Sequence, residues 1–361
     1  MTDTLTTKSH EAVAILLESL GIEVDDLLAV ARGRTVRKVP TFAEYIPVVV
    51  AAMPKGATLV QYSCYWSKLL AEPGWADRRL DEPTVTELKA LIELFRARRH
   101  MRANDRGGHA VTLHVVAALR CLYSHAQDDG LIDAAGNVAA RLPKPARLPS
   151  SRLAIPDKTL TQINRFTATT GNDPELDTLL IRLHTETACR VCGALRLRPQ
   201  DLDPVQLVIL LREKGGTERW QPVSPTLMTG LLDHQRDRGA ALTEPLLRFP
   251  DGRPLTAHRH KYIWRRLRKH VPEVAARGIS THWIRHTTIT WVERHFGKAV
   301  ARKFAGHKIG SGSVTDIYTE ATIEEVATAV AALTGEPHPL AAGMNPASAA
   351  LATWPSVGGQ R

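Results

Sequence analysis

Four prolines stand within "LPKPARLPSSRLAIPD", Leu142 to Asp157. Each lacks a backbone N–H and holds φ near −65°, so neither a helix nor a central strand can run through the stretch. The stretch favours an extended chain and is the best interdomain linker in the sequence. A length of 361 residues, 43% of them apolar, supplies material for two ordinary cores.

On the N-terminal side of that break, "TLVQYSCYWSKLLAE", "TVTELKALIELFRARRH" and "HAVTLHVVAALRCLYSHAQDDG" repeat apolar residues at spacings of three and four, the period of amphipathic helices. The last closes at Gly130 as a helix C-cap does. An all-helical domain is expected over residues 37–142 and a linker over 143–157. Upstream, "HEAVAILLESLGIEVDDLLAVARG" reads as a helix pair punctuated by Gly21, in a segment 1–36 without an assignable role. Beyond the linker, "DPELDTLLIRLHTETACRVCGALRL" is helical, and "LVILLREKGGTERWQPVS" sets two β-prone arms around Gly215 and Gly216, a hairpin signal. The second domain, 158–335, is thus expected to be mainly α with a small antiparallel β-sheet. The small residues and prolines of 336–361 predict a flexible tail.

A net charge of +10 and a pI near 9.6 favour an anionic partner, nucleic acid first. The charge is concentrated in "FRARRHMRANDR", with Arg96, Arg98, Arg99, Arg102 and Arg106, and in "HRHKYIWRRLRKH", with Arg259, Lys261, Arg265 and Arg266. These nine are the expected DNA-binding residues. Four cysteines make no disulfide framework, so a cytoplasmic protein is expected, nucleoid-associated if its anionic partner is DNA. No apolar run approaches the roughly 18 residues of a membrane span. Cys189 and Cys192 form a Cys-x-x-Cys without a second pair, and His258 and His260 have no carboxylate beside them, so no metal site is expected.

Six polar residues of the second domain stand out: Arg190, Lys214, His282, Arg285, His307 and Tyr318. His282 and Arg285 are three apart, on one face of a helix that Ser280 or Thr281 can cap. Tyr318 is the last of six tyrosines and sits in the polar "GSGSVTDIYTEA". In "CRVCGALRLRPQDLD", "REKGGTERWQPV", "HWIRHT", "AGHK" and "DIYTEA" the chain resembles the tyrosine recombinase (phage integrase) family, in family order, over about Pro156 to Leu333. The helical first domain resembles that family's core-binding module.

The resemblance implies a DNA breaking-rejoining fold and a site-specific DNA recombinase working through a 3′-phosphotyrosyl intermediate, in integration, excision or resolution of DNA elements. Arg190 and Arg285 match the two catalytic arginines, Lys214 the hairpin lysine, His282 the histidine of the His-x-x-Arg box, His307 the His/Trp position and Tyr318 the nucleophile. No metal, ATP or other cofactor is implied. Double-stranded DNA is the implied partner, with a homotetramer on two sites and room for an accessory directionality factor, and no membrane. Three departures matter, one of them Thr217, which stands where the family's hairpin motif frequently carries a second basic residue. Gly193 stands where the family carries an acid three residues after the first arginine, so Arg190 must be oriented from elsewhere. The spacing from His307 to Tyr318 is about two residues longer than usual. After Tyr318, Val326, Val330 and Leu333 share one helix face, which packs either on a neighbouring protomer, as in the family, or on its own domain. A type IB topoisomerase and a non-catalytic DNA-binding regulator are the rival readings; the short first domain argues against one and the full set of six residues against the other.

Overall fold

The computed structural model describes Ser19 and residues 38–101, 105–146, 148–149, 153–307 and 320–341. The segment 1–36 (Ser19 apart), Arg102, Tyr318 and residues 342–361 lie outside the described residues. The chain divides into two compact units, 1–148 and 149–361.

In the first unit, helices α1 (Phe42–Ala52), α2 (Ala57–Leu70), α3 (Val85–Ala97) and α4 (His109–Asp128) are followed by a 3₁₀ turn, Val138–Arg141. Thr41 and Thr84 start α1 and α3 with full capping boxes, each hydroxyl accepting from the backbone N–H of a glutamate three residues on. Helix α4 stops one residue before its C-cap, Asp129, and Gly130 follows with φ +70°. Each helix turns one stripe inward, and Phe42, Trp66, Leu88, Leu119 and Tyr123 form a core closed to water.

The second unit opens with α5 (Asp157–Thr169), α6 (Pro174–Thr187) and α7 (Val191–Arg196). Strands β1 (Leu202–Asp203), β2 (Val208–Arg212) and β3 (Glu218–Pro222) form an antiparallel sheet in that order, with Arg212 opposite Glu218. The Gly-Gly turn is where the sequence predicts it, both glycines having positive φ, +80° and +68°. β1 is a third strand beyond the two arms legible in the sequence. Helices α8 (Pro225–Arg238), α9 (Ala257–His270), α10 (Pro272–Arg277), α11 (Thr281–Ala305, broken at Gly297) and α12 (Ile323–Thr334) complete the unit. Among the described residues, no helix is long and apolar enough to cross a membrane.

Helix α12 packs within its own unit. Val326, Val330 and Leu333 are buried against Val292, Val300 and Phe304 of α11 and against Ala188. Glu336, just past its end, pairs with Arg182 of α6 and accepts from Thr226 at the start of α8.

Candidate active site

Arg190 is the N-cap of the short helix α7. The turn before it is under strain: Ala188 closes α6 in the left-handed region, φ 48° and ψ 25°, without being a glycine. Two contacts hold this turn. The Arg285 Nη1 donates to the Ala188 carbonyl, and Arg219 of β3 donates to the Thr187 carbonyl at 2.9 Å. The Cys189 carbonyl faces His184 Nδ1 at 3.1 Å, while His184 Nε2 lies 2.9 Å from His260 Nε2. With both rings neutral, a His184 that donates from Nδ1 has its Nε2 free to accept from His260 Nε2–H. Burial pushes their pKa values down to about 4 and about 3. His260 therefore supports the turn from within the core and does not face solvent as Lys261 and Arg265 of the same run do.

Arg285 enters from the second turn of α11 and is almost wholly enclosed. Its Nη2 donates to the Ala305 carbonyl at 2.6 Å and lies 3.5 Å from His307 Nε2. His307 is delivered by the end of the same helix. Gly306 terminates α11 in the left-handed conformation, and a Cβ there would sit 2.6 Å from Arg219 Cδ. Partial burial first, and then the cations Arg285, Arg190 and Arg302, hold the His307 imidazole below the usual histidine range; Glu213 opposes them.

Between the two arginines stands a residue the sequence reading missed. Glu213, immediately after β2, has a side chain with no exposed surface. Its Oε1 accepts the Arg190 backbone N–H at 2.6 Å, its Oε2 pairs with Arg190 Nη1, and Oε1 lies 3.9 Å from Arg285 Nη1. Lys214, the next residue, is exposed on the hairpin turn. The signal that could have found Glu213 was its adjacency to Lys214 together with the missing acid at Gly193.

His282 lies one helical turn before Arg285, exposed, at the rim of a cleft of about 820 Å³ lined also by Lys261, Tyr262, Arg265 and Arg268. Ser280 is the N-cap of α11, but its side chain makes no capping bond, and the Thr281 hydroxyl instead accepts from Trp264 Nε1 at 2.7 Å. The structure therefore brings together Arg190, Arg285 and His307, places His282 and Lys214 at solvent-facing positions on the same framework, and leaves Tyr318 outside the described residues.

The basic runs need correction. Arg259 is buried and donates to Asp177 at 2.6 Å, to Asn172 at 2.8 Å and to the Asp173 carbonyl at 3.1 Å. Arg266 donates to the same Asp177 at 2.8 Å. Positions 259, 263, 266 and 267 share one stripe of α9 with the core residues Ile263 and Leu267, so both arginines face inward rather than toward DNA. Lys261 and Arg265 face solvent. In the first unit Arg98 pairs with Glu72 at 2.7 Å, Arg96 donates to the Gly107 carbonyl at 2.6 Å, and Arg99 is tied to Asp105 at 2.6 Å. Arg106 is exposed.

Residues 155–325 match the model of the phage integrase family. The tyrosine recombinase XerD of Mycobacterium leprae (strain TN) is 27% identical over 279 residues, 72% of this chain and 84% of the relative. A lambda integrase dimer bound to a COC′ core site superposes with a TM-score of 0.60 at 18% identity, over 86% of this chain and 85% of that one. The Tn1549 transposon integrase in complex with a circular intermediate DNA superposes with a TM-score of 0.58 at 14% identity, over 78% and 96%.

Proposed function

This chain belongs to the phage integrase family of tyrosine recombinases, and on that premise we propose that it cleaves and rejoins duplex DNA at a specific site with Arg190, Lys214, His282, Arg285, His307 and Tyr318 as its catalytic residues. The observation that carries the reading is the convergence of Arg190 and Arg285, from different helices, on one buried carboxylate with His307 at 3.5 Å from Arg285.

The chemistry follows from the donors. A phosphodiester under attack gathers negative charge on its non-bridging oxygens, and guanidiniums meet such oxygens in a planar fork. Arg190 has five N–H donors; Nη1 pairs with Glu213, and among the described residues the other four have no protein partner. The Arg190 side chain is 32% exposed, which leaves it accessible to a ligand. Arg285 is spent more heavily on backbone carbonyls, so it both closes the Ala188 turn and lends its charge to the phosphate. Tyr318 attacks phosphorus through its phenol oxygen, and His282 takes the phenol proton. Lys214 gives a proton to the departing 5′-oxygen, leaving a 3′-phosphotyrosyl bond. His307 donates to a phosphate oxygen. Attack by a 5′-hydroxyl of another strand reverses the step and releases Tyr318. The energy of the backbone bond is conserved in the intermediate.

Lambda integrase has been solved as a tetramer bound to a Holliday junction; a tetramer on two DNA sites is the assembly proposed here. An accessory directionality factor belongs to the same proposal. Lys261, Arg265 and Arg268, on the cleft beside His282, are the proposed phosphate-backbone contacts of the second unit, with Arg106 in the first. The test is to express wild type and Tyr318→Phe beside the native flanking DNA, trap adducts under denaturing conditions and sequence the attached ends. Adducts at one reproducible sequence in the wild type alone are expected. Adducts scattered over the genome would point to a topoisomerase, and none at all to a DNA-binding regulator.

A further inference from the structure

Glu213 does more than neutralise charge. It is fully enclosed, it holds Arg190 at two points, the backbone N–H and Nη1, and it lies 3.9 Å from Arg285. Among the described residues it is the one carboxylate paired with either guanidinium. Gly193 makes room for it. A Cβ at 193 would stand 3.1 Å from Glu213 Cγ and 3.3 Å from its Oε1, closer than ordinary contact. Gly193 is itself tied to the start of α7, donating to the Arg190 carbonyl at 2.8 Å. The carboxylate reaches Arg190 from the base of the hairpin, through space that the bare glycine leaves open.

We propose that Glu213 and Gly193 form a matched pair in which Glu213 is the positioning residue for Arg190, presetting its free donors toward the scissile phosphate and registering the Lys214 hairpin against α7. A two-point hold removes the rotamer freedom that a long arginine side chain otherwise loses on meeting its ligand. It also separates two neighbouring cations by one negative charge, without which each would repel the other from the same phosphate. Because Glu213 and Lys214 are consecutive, displacement of the carboxylate displaces the lysine with it.

The inference rests on the recombinase reading for its catalytic consequence, so the test carries one readout that does not. Wild type, Glu213→Gln, Glu213→Gly, Gly193→Ala and the exchange Gly193→Glu with Glu213→Gly are compared on DNA carrying the trapped site. Glu213→Gln is expected to slow adduct formation on the order of 10²-fold, with DNA affinity changed less than about threefold, because Arg190 remains cationic. Gly193→Ala should slow it by about tenfold, by pushing the carboxylate aside. The exchange, which returns a carboxylate from the helix side, should recover at least about tenfold over Glu213→Gly alone. Independently, in ¹⁵N-arginine-labelled protein the Arg190 guanidinium should show slowly rotating Nη signals in the wild type and averaged ones in Glu213→Gln. An unchanged Arg190 spectrum, a cleavage rate within threefold of wild type, or a rate loss matched by an equal loss of DNA affinity would each overturn the assignment. Absence of adduct in the wild type would sink the recombinase reading alone, and the spectrum would still decide whether Glu213 fixes Arg190.

Discussion

The second unit contains two clusters of the same composition, a buried carboxylate shared by two arginines. Asp177 pairs with Arg259 and Arg266 between α6 and α9, and Glu213 with Arg190 and Arg285 between the hairpin and the starts of α7 and α11. In the first, Arg259 spends three nitrogens on protein acceptors, and both guanidiniums lie over the Tyr262 ring, at 5.0 and 5.3 Å. Its side chains are 4% and 10% exposed, so no ligand can reach it. In the second, one arginine keeps most of its donors and a third of its surface. A buried charge pair is weak evidence of stability gained and a poor guide to role; what separates the two clusters is which donors the protein has left unused.

The comparison breaks if the two clusters respond alike. The largest effect is expected at Asp177: replacing it with alanine strands two enclosed cations and should cost about 3–5 kcal/mol, read as a fall in the denaturant midpoint. Cleavage per folded molecule should stay within about threefold of wild type. Arg190→Ala should slow adduct formation on the order of 10²-fold, a loss of about 2.7 kcal/mol of transition-state stabilisation, while lowering the midpoint less than Asp177→Ala does, because Arg285 at 3.9 Å and the backbone N–H of residue 190 still face the enclosed Glu213 carboxylate. If instead Arg190→Ala unfolds the protein and Asp177→Ala stops the chemistry, the assignment of roles is inverted.

Acid offers a third, smaller contrast. His184 and His260 join the same two helices as the Asp177 cluster, and burial depresses both. The unfolded chain then binds protons first as pH falls below about 6.5, so stability present at neutral pH is lost downward toward about pH 4. The slope should approach about 1.4 kcal/mol per pH unit for each ring, and urea unfolding at pH 7 and 5.5 measures it. No difference between the two pH values would mean that the rings are already charged in the folded state. The smallest effect belongs to the surface: Lys261→Ala and Arg265→Ala should each lower the salt dependence of DNA binding by about one counterion and leave folding within ±0.5 kcal/mol. Arg259→Ala, adjacent in sequence, should harm folding before it harms binding.

Much of this arrangement was written in the sequence at short range. Helical spacing pointed to α2, α3 and α4 in the first unit and to α6 and α12 in the second, though it ran α6 on into α7 across the Ala188 turn, and Gly215 with Gly216 announced the hairpin. The inward turn of Arg259 and Arg266 was also legible, because they share a stripe with Ile263 and Leu267, but a count of charges along a run hides its period. Three features were not legible for physical reasons. β1 is two residues long, too short to carry alternation. Glu213 meets Arg190 across 23 residues and His184 meets His260 across 76, and no local spacing encodes either pairing. Ser280 looks like a capping residue, yet its side chain makes no capping bond at the head of α11.

The most direct test of the account is to identify the residue that holds the DNA. Wild-type protein trapped on its site, digested with nuclease and protease and read by tandem mass spectrometry, should carry a single nucleotide through its 3′-phosphate on the phenol oxygen of Tyr318. A nucleotide linked to any other side chain, or joined through a 5′-phosphate, would contradict the proposed chemistry and with it the roles of Arg190 and Arg285.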